Sequence, residues 1–174
     1  MRQLLNTLVA LTLTLVLVAP AWSATCRGYT TTHTGTNGID YILGTKGADV
    51  IAGLGGNDLI FGDTGGDRIC GDGGNDDIHA KLYAYNGQRN WLYGDDGNDK
   101  MYGAEGNDIM EGGNGNDTMY GGGGNDYMQG GWGDDKLYGQ NGNDQIEGNW
   151  GYDTIDGGNG TDSCIQGESV INCE

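Results

Sequence analysis

From Ile42 onward one apolar residue returns at every ninth position: Ile42, Ile51, Ile60, Ile69 and Ile78, then, after one interruption, Leu92, Met101, Met110, Met119, Met128, Leu137, Ile146, Ile155 and Cys164. A fixed short period of this kind is the signature of a solenoid, and it governs how each local element is read. Between Gly94 and Ile165 the whole phrase around that residue repeats without insertion, as GDDGNDKMY, GAEGNDIME, GGNGNDTMY, GGGGNDYMQ, GGWGDDKLY, GQNGNDQIE, GNWGYDTID and GGNGTDSCI. Glycine fills the first and fourth places, where it allows positive φ and a tight turn. The last three residues form a short strand whose middle side chain faces inward. Two phrases complete one coil, so the pattern predicts an all-β chain, a parallel β-roll or two-sided β-solenoid of about 14 nonapeptide repeats.

The sixth place is Asp in every well-formed phrase: Asp40, Asp49, Asp58, Asp67, Asp76, Asp99, Asp108, Asp117, Asp126, Asp135, Asp144, Asp153 and Asp162. Residues one coil apart stack at about 4.8 Å, so these carboxylates form columns, such as Asp99, Asp117, Asp135 and Asp153 beside Asp108, Asp126, Asp144 and Asp162. Each stacked pair repels by roughly 1 kcal/mol in bulk water and about 3 kcal/mol at an effective dielectric near 20. A cation is therefore expected between the turns. The donors are all oxygen, with no His or thiolate to favour zinc, which points to calcium, and counting stacked pairs gives about ten ions.

This phrase resembles the haemolysin-type calcium-binding repeat family (repeats-in-toxin, GGxGxDxUx). The resemblance runs from Gly35 to Ile165 and implies a parallel β-roll with calcium between stacked turns. It rests on GTNGIDYIL, GTKGADVIA, GLGGNDLIF, GDTGGDRIC and GDGGNDDIH as well as on the eight phrases above. Between the two blocks the clock slips. Ala80–Ala84 reads as a five-residue insertion, and the following YNGQRNWLY keeps Leu92 inward but puts Asn90 at the Asp place. This irregular, basic stretch suits either a ligand-contacting loop or a tolerated bulge.

Residues 1–23, with Arg2, an apolar run and a small-residue exit, have the layout of a secretory signal peptide. The run is short for a spanning helix, so no membrane span is expected in the mature chain. Such a leader departs from the toxin and protease members of the family, which use a carboxy-terminal export signal. Residues 24–34 are read as an amino-terminal lead-in with an inert His33, residues 35–165 as the roll with its insertion at 80–84, and residues 166–174 as a carboxy-terminal cap. All four cysteines follow the leader, as suits an oxidising compartment. Cys164 and Cys173 are placed to clamp the cap, with a buried free thiol at Cys164 as the alternative, while the pairing of Cys26 with Cys70 stays open.

With 37 glycines and one Phe the core must be thin, and 25 acidic against 8 basic residues exclude nucleic-acid binding. No nucleophile with a base is visible, so no enzyme is expected. The leading reading is a secreted calcium-binding scaffold or interaction module. The alternative is a surface-binding module for extracellular polysaccharide or a cell-surface ligand, less plausibly for ice, built on outward ladders: Tyr102, Tyr120 and Tyr138 with Phe61 and His79, the pair Trp132 and Trp150, or the fifth-place Asn residues.

Overall fold

A computed structural model describes residues 24–81 and 87–173; the leader at 1–23 lies outside them, as does most of the insertion. Among the described residues all regular structure is β. A two-stranded antiparallel ribbon, Thr25–Cys26 with Tyr29–Thr30, precedes two eight-stranded parallel sheets. One sheet runs through His33–Thr34, Val50–Ala52, Arg68–Gly73, Trp91–Asp96, Ile109–Asn114, Tyr127–Trp132, Gln145–Trp150 and Ser163–Ile165. The other runs through Tyr41–Leu43, Leu59–Phe61, Asp77–His79, Lys100–Tyr102, Thr118–Gly123, Lys136–Asn141, Thr154–Asn159 and Ser169–Ile171. The chain alternates between the sheets, one phrase to each, and residues eighteen apart pair in register, as Met101 with Met119 and Met119 with Leu137 do. This is the expected solenoid.

The core is one line of side chains. Ile51, Ile60, Ile69, Ile78, Leu92 and the residues from Met101 through Ile155 on the same clock have no solvent exposure and form one continuous cluster. The strands are longer than the expected three residues. In most coils they continue across the phrase boundary into the next glycine-rich segment, as in Thr118–Gly123. Coil-to-coil backbone bonds such as Gly97 N–H to Asn114 O at 2.8 Å extend the ladder there. Close stacking explains the fourth-place glycine: at Gly74, with φ +124°, a Cβ would collide with the Gly56 carbonyl of the coil before.

Both ends are tied down. Cys26 and Cys70 form a disulfide with Cα atoms 5.6 Å apart, settling the pairing that the sequence left open. Cys164 pairs with Cys173, so the cap is clamped as expected and no free cysteine remains among the described residues.

At the interruption the structure revises the boundary. Ala80 is fully buried and its N–H donates to Tyr102 O at 2.9 Å, as Gly62 N–H does to His79 O at 2.9 Å. Ala80 thus holds the first place of its phrase, so the insertion does not begin at Ala80. Pairing across it is offset accordingly, Asp77 with Lys100 and Arg68 with Trp91, without loss of register.

Candidate metal centres between stacked turns

Each sixth-place Asp is positioned by the glycine turn that precedes it and by the coil on either side. In one column the Oδ1 atoms of Asp58, Asp76, Asp99, Asp117, Asp135 and Asp153 accept the backbone N–H of the Asp one coil earlier at 2.7–3.0 Å. The other column, through Asp67, Asn90, Asp108, Asp126, Asp144 and Asp162, is built the same way at 2.7–3.1 Å. The fifth place bonds in the opposite sense. Asn98 Oδ1 accepts Asn116 N–H at 2.6 Å, and Asn107 Oδ1 accepts Asn125 N–H at 2.9 Å. The polar ladder is therefore a structural tie between coils as well as turn chemistry.

The second carboxylate oxygen has a different fate. In Asp58, Asp67, Asp76, Asp99, Asp108, Asp117, Asp126, Asp135, Asp144, Asp153 and Asp162 the Oδ2 atom is buried with no hydrogen-bond partner. It turns back against the first-place glycine of its own phrase and shares that space with a carbonyl of the next coil. A Cβ on Gly112, for example, would collide with both Asp117 Oδ2 and Gly130 O. An anionic oxygen facing a carbonyl oxygen, away from water, is unfavourable unless a proton or a cation lies between them. Burial accordingly pushes Asp76, Asp117, Asp126 and Asp135 up to about 7, and Asp67, Asp99 and Asp108 up to about 6. In each case a backbone N–H works against that rise, and for most of them neighbouring carboxylates of the column reinforce it. An all-oxygen pocket of carboxylate and carbonyl groups fits a hard divalent ion such as calcium.

Three turns depart from this arrangement. Asp40 Oδ2 accepts both the N–H and the hydroxyl of Thr36, at 2.6 and 2.8 Å, and Asp49 Oδ2 accepts the same pair from Thr45, at 2.6 and 2.9 Å. Asp49 Oδ1 also accepts the Thr32 hydroxyl at 3.1 Å and lies 3.5 Å from His33 Nδ1, so His33 has a neighbour that the sequence did not reveal. Asn90 places its Nδ2 where an Oδ2 would stand and donates to Asp108 Oδ1 at 2.9 Å, Gln88 O at 3.2 Å and Gly103 O at 3.3 Å.

Sequence reasoning missed Glu168. Its Oε2 accepts Asp153 N–H at 2.7 Å, the bond that the next Asp would make in a further coil. The carbonyls of Gln166 and Asn172 face Gly148 and Gly157 as those of the next glycines do elsewhere. Glu168 stands fifteen residues after Asp153 rather than eighteen, so the nine-residue clock hides it.

The outward ladders are present. Tyr102, Tyr120 and Tyr138 stack at 5.0–5.1 Å, continued by His79 and Phe61 at 4.5–4.7 Å. These rings are half-buried against one another, whereas Trp132 and Trp150, stacked at 5.1 Å, are 60 % and 64 % exposed. The Trp pair borders a groove of about 720 Å³ lined also by Arg27, Asp95, Asp96, Glu111 and Asn114.

Among curated proteins none matches the chain. The family model of the RTX calcium-binding nonapeptide repeat (4 copies) matches residues 34–69, 86–110, 93–128, 102–137 and 129–164, more than half of the sequence. Calcium binding by stacked nonapeptide turns is the property of that family, and its fold is the one found here. The chain belongs to the RTX calcium-binding nonapeptide repeat family.

Proposed function

We propose that this protein is a secreted, non-enzymatic calcium-binding roll that folds when calcium arrives and then serves as an extracellular scaffold or interaction module. The carrying observation is the series of eleven buried carboxylate oxygens without a partner, each set against a backbone carbonyl. In this reading Asp58, Asp67, Asp76, Asp99, Asp108, Asp117, Asp126, Asp135, Asp144, Asp153 and Asp162 supply the anionic ligands, close in number to the about ten ions expected from stacking. Calcium offsets the repulsion within a chain of formal charge −17 and brings the desolvated carboxylates their missing partner. Secretion is supported by the leader-like residues 1–23 and by the two disulfides. Far-ultraviolet circular dichroism of the mature chain tests the reading: β signal should collapse in chelator and return with calcium. A spectrum indifferent to chelator would reject it.

A second reading is favoured by the exposed, stacked pair Trp132 and Trp150 beside their groove. Aromatic faces flanked by Asn and carboxylate groups suit a neutral polysaccharide. A glycan array probed in calcium separates the two: binding that is lost in Trp132→Ala supports the polysaccharide module, and no binding leaves the scaffold.

A further inference from the structure

We propose that three turns of the roll take no calcium because protein hydrogen-bond donors occupy the cation's position: Thr36 and Thr45 close the turns of Asp40 and Asp49, and the Asn90 amide closes the interrupted turn. The inference rests on the calcium reading of the other eleven turns and subtracts Asp40 and Asp49 from the ligand set that the sequence suggests.

The first-coil closures follow from the second place of the phrase. In the eleven turns with a bare inner oxygen that residue takes a left-handed step, as Leu54, Asp63, Asp72, Asp95, Ala104, Gln140 and Asn149 do with φ between 68° and 78°, or is a glycine of positive φ such as Gly113. Thr36 and Thr45 stay out of the left-handed region, which a β-branched side chain resists. Their N–H and hydroxyl turn onto the inner oxygen instead, giving it two donors of the charge-assisted kind. An ion at that oxygen would have to displace both, leaving a backbone N–H pointing at a cation. Neither Asp40 nor Asp49 retains an unpartnered buried oxygen, unlike all eleven of the others.

The Asn90 closure has two parts. The amide is neutral, and its Nδ2 donates to a carboxylate and two carbonyls, the kinds of oxygen a calcium ion would gather. The first place of the same phrase is Ala80 instead of glycine, so a methyl stands where, in the regular turns, a Cβ would collide with the inner carboxylate oxygen. Asp to Asn and Gly to Ala thus occur together in one turn, and each alone disfavours an ion there. The first coil consequently closes its turns without calcium, while Cys26–Cys70 staples the ribbon that precedes it to the strand Arg68–Gly73, and the calcium-dependent coils stack beyond.

The experiment counts calcium bound per chain at saturation, by equilibrium dialysis and elemental analysis, on mature protein with both disulfides intact and folding confirmed by circular dichroism. Asp40→Asn and Asp49→Asn should bind as many ions as the parent, whereas Asp117→Asn should bind fewer. The double variant Ala80→Gly with Asn90→Asp should bind one more, and Thr36→Gly with Thr45→Gly should also gain. Losses in Asp40→Asn and Asp49→Asn equal to that of Asp117→Asn would overturn the inference while leaving the calcium reading intact. An unchanged count in Asp117→Asn would instead overturn the ligand assignment on which it rests. The shape-conserving Asp40→Asn and Asp49→Asn decide the matter even if the gain-side variants fail to fold.

Discussion

Asp117→Asn separates charge from shape at the centre of the column. The Asn90 turn already holds an Asn whose Oδ1 accepts a backbone N–H, that of Asp67 at 3.1 Å, so an amide at position 117 keeps the acceptor for Asp99 and removes the charge. Two opposed effects follow. In the metal-free roll, burial, partly offset by the Asp99 N–H and reinforced by Asp99 and Asp135, holds the Asp117 carboxyl at about 7 instead of 3.8. At about 1.4 kcal/mol per pKa unit, ionising it at pH 8 costs the metal-free fold up to about 4 kcal/mol, a cost the amide escapes. Calcium reverses the balance, because each filled site adds about 1.4 kcal/mol of stability per tenfold rise in free calcium. Unfolding free energy plotted against log calcium should therefore rise about 1.4 kcal/mol per decade less steeply in the variant. The two lines should cross, with Asp117→Asn the more stable at low calcium and the parent at high. Urea unfolding followed by circular dichroism at buffered calcium concentrations, pH 8, measures both lines. A slope equal to the parent's would refute the assignment of an ion to Asp117, whereas an equal loss of slope in Asp40→Asn would refute only the closure of the Asp40 turn.

Raised carboxyl pKa values stabilise the metal-free fold below the unfolded value near 3.8, and that stability is lost as pH rises through about 6 for Asp99 and about 7 for Asp126. Chelated protein should therefore show more β signal at pH 4 than at pH 8, while with calcium present acid competes and the calcium midpoint climbs as pH falls below 7; a flat profile would count against both. Met119 is fully buried in the core line, so Met119→Ala should cost about 2–5 kcal/mol in saturating calcium, whereas Ala at Tyr152, 77 % exposed, should change stability by less than about 0.5 kcal/mol. Replacing Cys164 and Cys173 by Ser opens a loop of sequence separation 9, worth about 3 kcal/mol by chain entropy, and hydrogen exchange should accelerate first in Ser169–Ile171. Unchanged exchange there would show that the cap docks without its clamp.

The nine-residue clock makes the coil, the inward line from Ile42 to Cys164 and the Asp columns legible, because each depends on residue type at a fixed place. The Tyr102, Tyr120 and Tyr138 ladder is legible for the same reason, being a matter of counting eighteens. Other features depend on geometry that the clock does not carry. Thr36 and Thr45 look like ordinary variation at the second place, and only the backbone conformation shows that their donors reach the inner oxygen. Ala80 looks like the first inserted residue until its bond to Tyr102 O places it in the ladder. Glu168 lies out of phase, so its role in closing the Asp153 column is visible only in space. The two oxygens of each interior Asp are likewise indistinguishable in the sequence, yet one is tied to the coil before and, in the eleven open turns, the other alone is bare.

The stacking has a consequence for how such a chain can change length. Backbone ties run only to the coil above and the coil below, and every phrase of the uninterrupted block from Gly94 to Ile165 offers the same glycine at its first and fourth places and aspartate at its sixth. Removing one phrase of nine would hand each following strand to the opposite sheet without offending the backbone. The aromatic column would notice, because Tyr102 meets Tyr120 at an offset of eighteen. A nine-residue deletion between them would send the two rings to opposite faces of the molecule, whereas an eighteen-residue deletion would seat Tyr138 directly on Tyr102. The scaffold therefore counts in halves of a coil and its surface in whole coils, so gain or loss of coil pairs preserves the exterior pattern while single phrases reshuffle it.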